Sequence, residues 1–425
     1  MYRIRKDQRG LESKDRAKVT PHHRDASGSC PTCTDTRRKR ESMPYITVTK
    51  PPRVYQLSFD DIVNGLDANR LEVTKDTRDT MTYYTDFIVD KVRNKFDYYG
   101  MYRTLKEFNE KYEGLIETAD KSALYTSFKI PKRTGGLRQI DAPLPPLMSA
   151  LTELKGILER TFFFTYHTSA FAYVHGRCTV DAVKRHQQNG SRWILKTDLS
   201  KFFPNSSKEF LLKMLYQTFP LSEYAKFGDD YRETFEKSLS LCFLNGGLPQ
   251  GTPTSPMLTN QMMIPIDHAI SKLCHEHKPH LCYTRYADDM DISSQYSFHW
   301  TEVAKAIEDI LAKFDAPFSF NKEKTHYGST SGRNWMLGVM LNKDGNITIG
   351  HEKKRNFKNM LFAFGCAIKD GQPWGEEDAQ HLQGLIAYYK MVEGDPIDDI
   401  VNRYSERFAF DIPTMIKRII KGEQV

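Results

Sequence analysis

Residues 283–293 read YTRYADDMDIS, two runs of strand-forming residues that meet at a turn holding Asp288 and Asp289. Adjacent carboxylates at a tight hairpin repel each other and destabilise it unless cations neutralise them, so the pair suggests a divalent-metal site at a sheet edge. Taken alone, the dipeptide also fits a solvated turn, since turns are rich in Asp. Upstream, RWILKTD (192–198) is a short apolar strand ending in another carboxylate, Asp198, where strand gives way to helix. Two strand ends of one sheet can face each other. There they would hold two Mg2+ ions about 4 Å apart, one acidifying an attacking hydroxyl and both offsetting charge on a phosphate under in-line attack.

Outward from these strands the chain alternates helix and strand. Ser206 to Glu209 form an S-x-x-E capping box that opens a helix through FLLKMLYQTF. Ser255 and Pro256 supply a cap and a first-turn proline for a helix over residues 257–273, bent at Pro265. Thr301 caps residues 302–314, whose Val303, Ile307, Ile310, Leu311 and Phe314 form an apolar stripe. Residues 127–143, SFKIPKRTGGLRQIDAP, read as two strands around Gly135 and Gly136, a hairpin tipped with Lys132, Arg133 and Arg138. A helix follows over residues 146–163. The segments 59–66, 82–96 and 102–119 carry helical periodicity, as do 353–369, 376–392 and 397–408. The composite is an α+β protein built on an antiparallel sheet.

The chain has 425 residues, 39% hydrophobic and 27% charged, which is enough apolar material for a sizeable core and too much for overall disorder. No run of about 18 uncharged apolar residues is present, and the charged N-terminus has no apolar stretch after it. A soluble, cytoplasmic protein with no membrane association is expected. Seven scattered cysteines make no disulfide framework. The net charge of +7 is concentrated: residues 1–42 hold 12 basic and 6 acidic residues, leaving 49 against 48 in the remainder. That stretch reads as a disordered basic extension ending before Met43. Its Cys30 and Cys33, with His22 and His23 nearby, would suit zinc, but no second spaced pair accompanies them, and they read as two thiols in a solvated tail.

In one order along the chain, IPKRTGGLRQI (130–140), KTDLSKFF (196–203), GGLPQGTPTSPMLTN (246–260), YTRYADDMDIS, NKEKT (321–325) and WMLGV (335–339) resemble the successive motifs of reverse transcriptases. The resemblance covers roughly residues 125–345. It implies a right-hand polymerase fold, with an N-terminal helical region and fingers over 43–190, a palm over 191–345 and a helical thumb over 346–425. It also implies RNA-templated DNA synthesis from a primer 3′-OH and dNTPs, with two Mg2+ ions for which Mn2+ could substitute.

The resemblance further implies roles. Asp198 and Asp288 would be metal ligands, with Asp289 supporting them and the Leu199 backbone facing a metal. Phe203 would lie under the incoming sugar and collide with a ribose 2′-OH, whereas Phe202 reads as core. Gln250 and Gly251 would line the nucleotide pocket. Arg138, with Lys132 or Arg133, would grip the triphosphate. Lys324 would stand near the departing pyrophosphate and could protonate it. Tyr286 would pack under the primer terminus or in the core, and Leu337 and Gly338 would form a primer grip. Asp291 reads as solvated or structural. His175, Gly176, Arg177 and His186 resemble a region near the template path, with either histidine read as structural. Lys353, Lys354, Arg355 and Lys358, interleaved with Phe357, Phe362 and Phe364, would contact nucleic-acid backbone.

Retron enzymes carry an Asn-Ala-x-x-His and a Val-Thr-Gly element, for which this chain has residues 181–186, DAVKRH, and 336–338, MLG. Ser-Pro in TPTSP differs from the Ser-Gln usual in diversity-generating relatives. About 80 residues after the palm leave no room for maturase and endonuclease regions. The chain therefore most resembles the stand-alone defence-associated bacterial reverse transcriptases, with retrons second, implying a dedicated non-coding RNA, a DNA product and antiphage action. The alternatives are a retron enzyme making RNA-linked DNA, a non-enzymatic RNA-binding protein on a palm scaffold, and untemplated or protein-primed synthesis.

Overall fold

The structure, a computed structural model, describes residues 96–131, 135–161, 166–332, 335–372 and 374–423. The basic extension with Cys30 and Cys33, the expected helices over 59–66 and most of 82–96, and Lys132 and Arg133 lie outside the described residues. From Tyr98 onward the chain forms one compact unit.

Helix α1 (Tyr98–Lys111) buries Met101, Leu105 and Phe108, spaced three or four apart so that they share one face. Strands β1 (Tyr125–Pro131) and β2 (Leu137–Pro143) pair antiparallel from Tyr125↔Pro143 to Pro131↔Leu137. Gly135 and Gly136 both take positive φ in the connecting turn, which only glycine adopts cheaply. Helix α2 (Pro145–Thr161) follows, then α3 (Thr179–Gln188).

The centre is a four-stranded antiparallel sheet in the order β4-β5-β3-β6, from β3 (Trp193–Asp198), β4 (Cys282–Tyr286), β5 (Asp289–Ser294) and β6 (His326–Ser329). Helix α4 (Lys208–Leu215) starts one residue later than the capping box predicts: Ser207 is the cap, accepting from the Phe210 amide, while Ser206 donates to the Phe202 carbonyl. Helix α5 (Asp229–Leu239) packs on α1, with Tyr102 stacked on Tyr231 at 4.5 Å. The single bent helix expected over 257–273 is two helices, α6 (Ser255–Met262), with Thr254 at the cap position but making no capping bond, and α7 (Ile264–Glu276). Pro265 lies in the first turn of the second, where a missing amide costs nothing. Helix α8 (Trp300–Lys313) begins one residue before Thr301, with His299 at the cap position.

A small sheet of β7 (Trp335–Met336), β8 (Val339–Leu341) and β9 (Ile347–Thr348) leads into helices α9 (His351–Lys369), α10 (Glu376–Glu393), α11 (Asp395–Phe408) and α12 (Ile412–Ile420). This sheet and α12 are not among the expected elements. Phe357, Leu361 and Phe364 of α9 join Ile194, Met336 and Val339 in one buried cluster, so the helical lobe is cored onto the strand that ends in Asp198. No helix among the described residues is long and apolar enough to cross a membrane.

Candidate active site

Strand pairing alone brings the three acids together. In the β3–β5 ladder Asp198 stands opposite Asp289, and the β4–β5 hairpin turns at Ala287 and Asp288 between the paired Tyr286 and Asp289. The Leu199 amide donates to the Asp288 carbonyl at 3.0 Å, fixing the turn beside the end of β3. Past that end Leu199 bridges Phe320, and the Asn321 amide donates to the Asp198 carbonyl at 2.8 Å. Lys201, at φ 50°, then redirects the chain into the short helix Phe202–Asn205.

Charge sets the chemistry. Lys324 Nζ lies 2.7 Å from Asp198 Oδ1, so one ammonium faces three carboxylates. Loss of hydration, then the Asp198 carboxylate in hydrogen-bonding contact, raises Asp288 above the ordinary carboxylate range. The same desolvation, with Asp288 and Asp198 beside it, pushes Asp289 up to about 6. Burial opposes the charge on Lys324, but its bond to Asp198 and the three acids outweigh that and hold it above the usual lysine value. The surplus of negative charge, an all-oxygen donor set and a Leu199 carbonyl that accepts no hydrogen bond from the described residues suit a hard divalent cation. Among the described residues no three His, Cys, Asp or Glu side chains are arranged to hold a metal ion by themselves.

Beyond the end of β3 the chain ties three segments together. Phe202 is buried against Phe318, whereas Phe203 is half-buried and its carbonyl accepts from the Leu248 amide at 3.0 Å. That bond carries the loop to Gln250, whose carbonyl accepts from the Asp141 amide of β2 at 2.8 Å. Gly251, at φ 125°, passes so close that an added Cβ would come 2.9 Å from the Asp141 carbonyl oxygen. The hairpin bearing exposed Arg138 is thus tied to the loop of Gln250 and Gly251. Tyr286 is half-buried, and Leu337 and Gly338 form the β7–β8 turn, both at positive φ.

The basic run divides. Lys353 donates to the Gly338 carbonyl at 2.6 Å, and Lys354 pairs with Glu393 at 2.5 Å, whereas Arg355 and Lys358 are exposed. Phe357 and Phe364 are core, while Phe362 is 40% exposed beneath Arg407. Asp291 is buried, which settles the solvated-or-structural choice in favour of a structural place. His186 is buried between Ser293 Oγ (2.6 Å) and Thr284 Oγ1 (2.7 Å), and burial pushes it down to about 3, a structural histidine. Arg177 donates to the carbonyls of His167 and Ala170, and His175 is exposed.

Sequence reasoning passes over the support beneath the acids. Arg285, wholly buried, makes a two-pronged pair with Asp267 (2.7 and 2.9 Å) and also donates to Asn260 Oδ1 and the Ala287 carbonyl, each at 3.1 Å. Tyr283 donates to the same Asp267, and Asn260 Nδ2 donates to the Ala172 carbonyl at 2.7 Å. The next residue, Tyr173, is 52% exposed, at φ 59°, with its hydroxyl raised by loss of hydration and then by the nearby charge of Asp288. The one signal for this network was a charged residue at an inward position of a strand, which requires an acid from elsewhere.

Strand-end carboxylates over an antiparallel sheet, a hairpin joined to a glycine-bearing pocket loop and a helical lobe define a right-hand polymerase. Residues 130–357, more than half the chain, match the family described as "Reverse transcriptase (RNA-dependent DNA polymerase)". The chain belongs to that family and is an RNA-directed DNA polymerase related to the bacterial retron enzymes. It is 30% identical to the retron Ec83 reverse transcriptase of Escherichia coli over 66% of this chain and 87% of that one. With the retron Mx162 reverse transcriptase of Myxococcus xanthus it shares 28% identity over 64% of this chain and 59% of the other. Among solved structures, apo telomerase from Candida tropicalis aligns with a TM-score of 0.39 and 14% identity, over 72% of this chain and 63% of that one. Enzymes of this family generally use divalent metal ions.

Proposed function

We propose that the chain extends a primer on a dedicated non-coding RNA in the bacterial cytoplasm, with two Mg2+ ions at Asp198, Asp288, Asp289 and the Leu199 carbonyl, and that the DNA product serves antiphage defence. The observation that carries the site assignment is the Asp198↔Asp289 register with Asp288 at the adjoining turn. Cations bound there would acidify the primer 3′-OH and offset charge on the α-phosphate. The 3′-OH gives its proton to water, its oxygen forms a bond to the α-phosphorus of a dNTP, and the bond to the β-phosphate oxygen breaks with its electron pair leaving on pyrophosphate. Lys324, kept protonated beside Asp198, is positioned to give that leaving group a proton. Phe203 excludes a ribose 2′-OH, Gln250 and Gly251 line the nucleotide pocket, and Arg138 grips the triphosphate with Lys132 or Arg133. Tyr286, Leu337 and Gly338 seat the primer, and exposed Arg355 and Lys358 meet backbone phosphates.

Likeness to the retron Ec83 enzyme over 87% of its length favours, as the second reading, a product that stays linked to RNA.

Purified protein with a primer annealed to RNA should extend it with dNTPs and Mg2+, and a chelator should stop it; a protein that binds the duplex without extending it would contradict the proposal. Sequencing the copurifying nucleic acid should return one structured RNA joined or annealed to its DNA copy, and a random transcript population would count against a dedicated template. Phe203→Ala should admit ribonucleotides, with about a tenfold or greater rise in their incorporation relative to dNTPs, the scale of one lost steric contact.

A further inference from the structure

The Leu337–Gly338 turn closes a short hairpin, Trp335↔Met340 and Met336↔Val339, which β9 extends and whose Met336 and Val339 are buried while the turn itself is not. Leu337 sits at φ 49°, a left-handed conformation that disfavours any residue with a Cβ. Two ammonium groups bond this hairpin, one at its entry and one at its turn. Lys196 Nζ donates to the Trp335 carbonyl at 2.7 Å, and Lys353 Nζ donates to the Gly338 carbonyl at 2.6 Å while lying 4.8 Å over the Trp335 ring. The same ring meets Gly350, where an added Cβ would come 2.7 Å from it.

The sources of the two lysines differ. Lys196 lies on β3 two residues before Asp198, and therefore on the same face of the strand. Its position opposite Asp291 keeps a carboxylate beside the half-buried ammonium. Lys353 belongs to the first turn of α9, the helix that begins the thumb. One hairpin is thus bonded at its entry to the catalytic strand and at its turn to the thumb.

We propose that Lys196 and Lys353 are positioning residues that set the height of the primer 3′ end relative to Asp198, coupling the thumb's grip on a duplex to alignment at the acids. This rests on the reading of Leu337 and Gly338 as the primer grip. Both bonds are charge-assisted and span separate elements, so neither is replaced by a local contact when it is removed.

The test is steady-state and single-turnover extension by full-length Lys196→Met, Lys353→Met, Lys353→Arg and Gly338→Val, with thermal unfolding to show that each is folded. Removing either ammonium should raise KM for primer–template about tenfold, as expected of one lost hydrogen bond to a charged group, with KM for dNTP within about twofold. Lys353→Arg, which keeps a donor and a cation over Trp335, should restore most of the loss. Gly338→Val, strained at φ 85°, tests the grip itself. If Gly338→Val raises primer KM and neither Met variant does, the lysines do not position the grip and the proposal fails. If Gly338→Val leaves primer KM unchanged, the grip assignment is what fails. Equal loss in kcat for every variant, with both KM values unchanged, would reduce the lysines to structural residues.

Discussion

Two hairpin turns belong to the proposed site, and they are held in opposite ways. The Ala287–Asp288 turn, with Ala287 at φ 59°, rests on Arg285 and Asp267, both fully buried, through the bond from Arg285 to the Ala287 carbonyl. The Leu337–Gly338 turn, with equally left-handed backbone, hangs from two half-buried lysines. A planar guanidinium held by Asp267, Asn260 and the Ala287 carbonyl has one low-energy arrangement, whereas an ammonium on a four-carbon stem adjusts. The contrast suits the proposed roles: metal ligands would have to stay fixed, while a primer would have to advance by one nucleotide after each addition.

The comparison breaks most visibly at the buried pair. Arg285→Met or Asp267→Ala leaves a lone charge in the core and should destabilise the protein by roughly 3–5 kcal/mol, with the double replacement by apolar residues recovering much of it. Lys353→Met should lower unfolding stability by only about 1 kcal/mol. Denaturant unfolding of the four variants checks this, and equal losses at the two turns would erase the distinction.

A smaller effect concerns His186, which ties Thr284 of β4 and Ser293 of β5 together beneath the catalytic turn. Burial holds its pKa at about 3, below the unfolded value of 6.5. Below pH 6.5 the unfolded chain therefore takes up a proton that the folded chain refuses, so this contribution is full above pH 6.5 and is lost as pH falls. Between pH 7 and pH 5 the loss is about 2 kcal/mol. In His186→Gln the stability deficit relative to wild type should shrink by that amount over the same range. Taking the difference cancels the opposing contribution of Asp291, pushed up to about 7 by burial. A deficit that does not change with pH would show that the imidazole is not held neutral.

Smallest of all, Ala287→Gly and Leu337→Gly should each relieve left-handed strain and change stability by about 1 kcal/mol or less. Their activities should diverge: Ala287→Gly, still pinned by Arg285, should keep its KM for primer, while Leu337→Gly should raise it. Identical kinetics in the two would mean that their anchors do not differ in stiffness.

What could be read in advance follows from range. Strand alternation, glycine turns and the order of short motifs are local, and they located β1 to β5, the acids and the helical lobe. Caps slid by a residue because Ser206 and Ser207, like Thr254 and Ser255, are chemically equivalent and the choice between them is made by tertiary contacts such as Ser206 to Phe202. Strands β7 to β9, of two or three residues, are too short to show a period. The Arg285–Asp267 pair and the two lysine anchors join residues 15 to more than 100 positions apart, and nothing in either local sequence names the partner. Lys353 and Lys354 show the cost of reading charge runs as surface: each is bonded inward, and only the register of α9 separates them from Arg355.

The most direct measurement is single-turnover extension of a primer on RNA by Asp288→Ala, alongside the dissociation constant of the same primer–template. Extension should fall by at least about a thousandfold, as when a group central to the chemical step is removed, with duplex affinity within a few-fold of wild type. Extension at a near wild-type rate would contradict the assignment of Asp288, with Asp198 and Asp289, as the centre of the polymerase site.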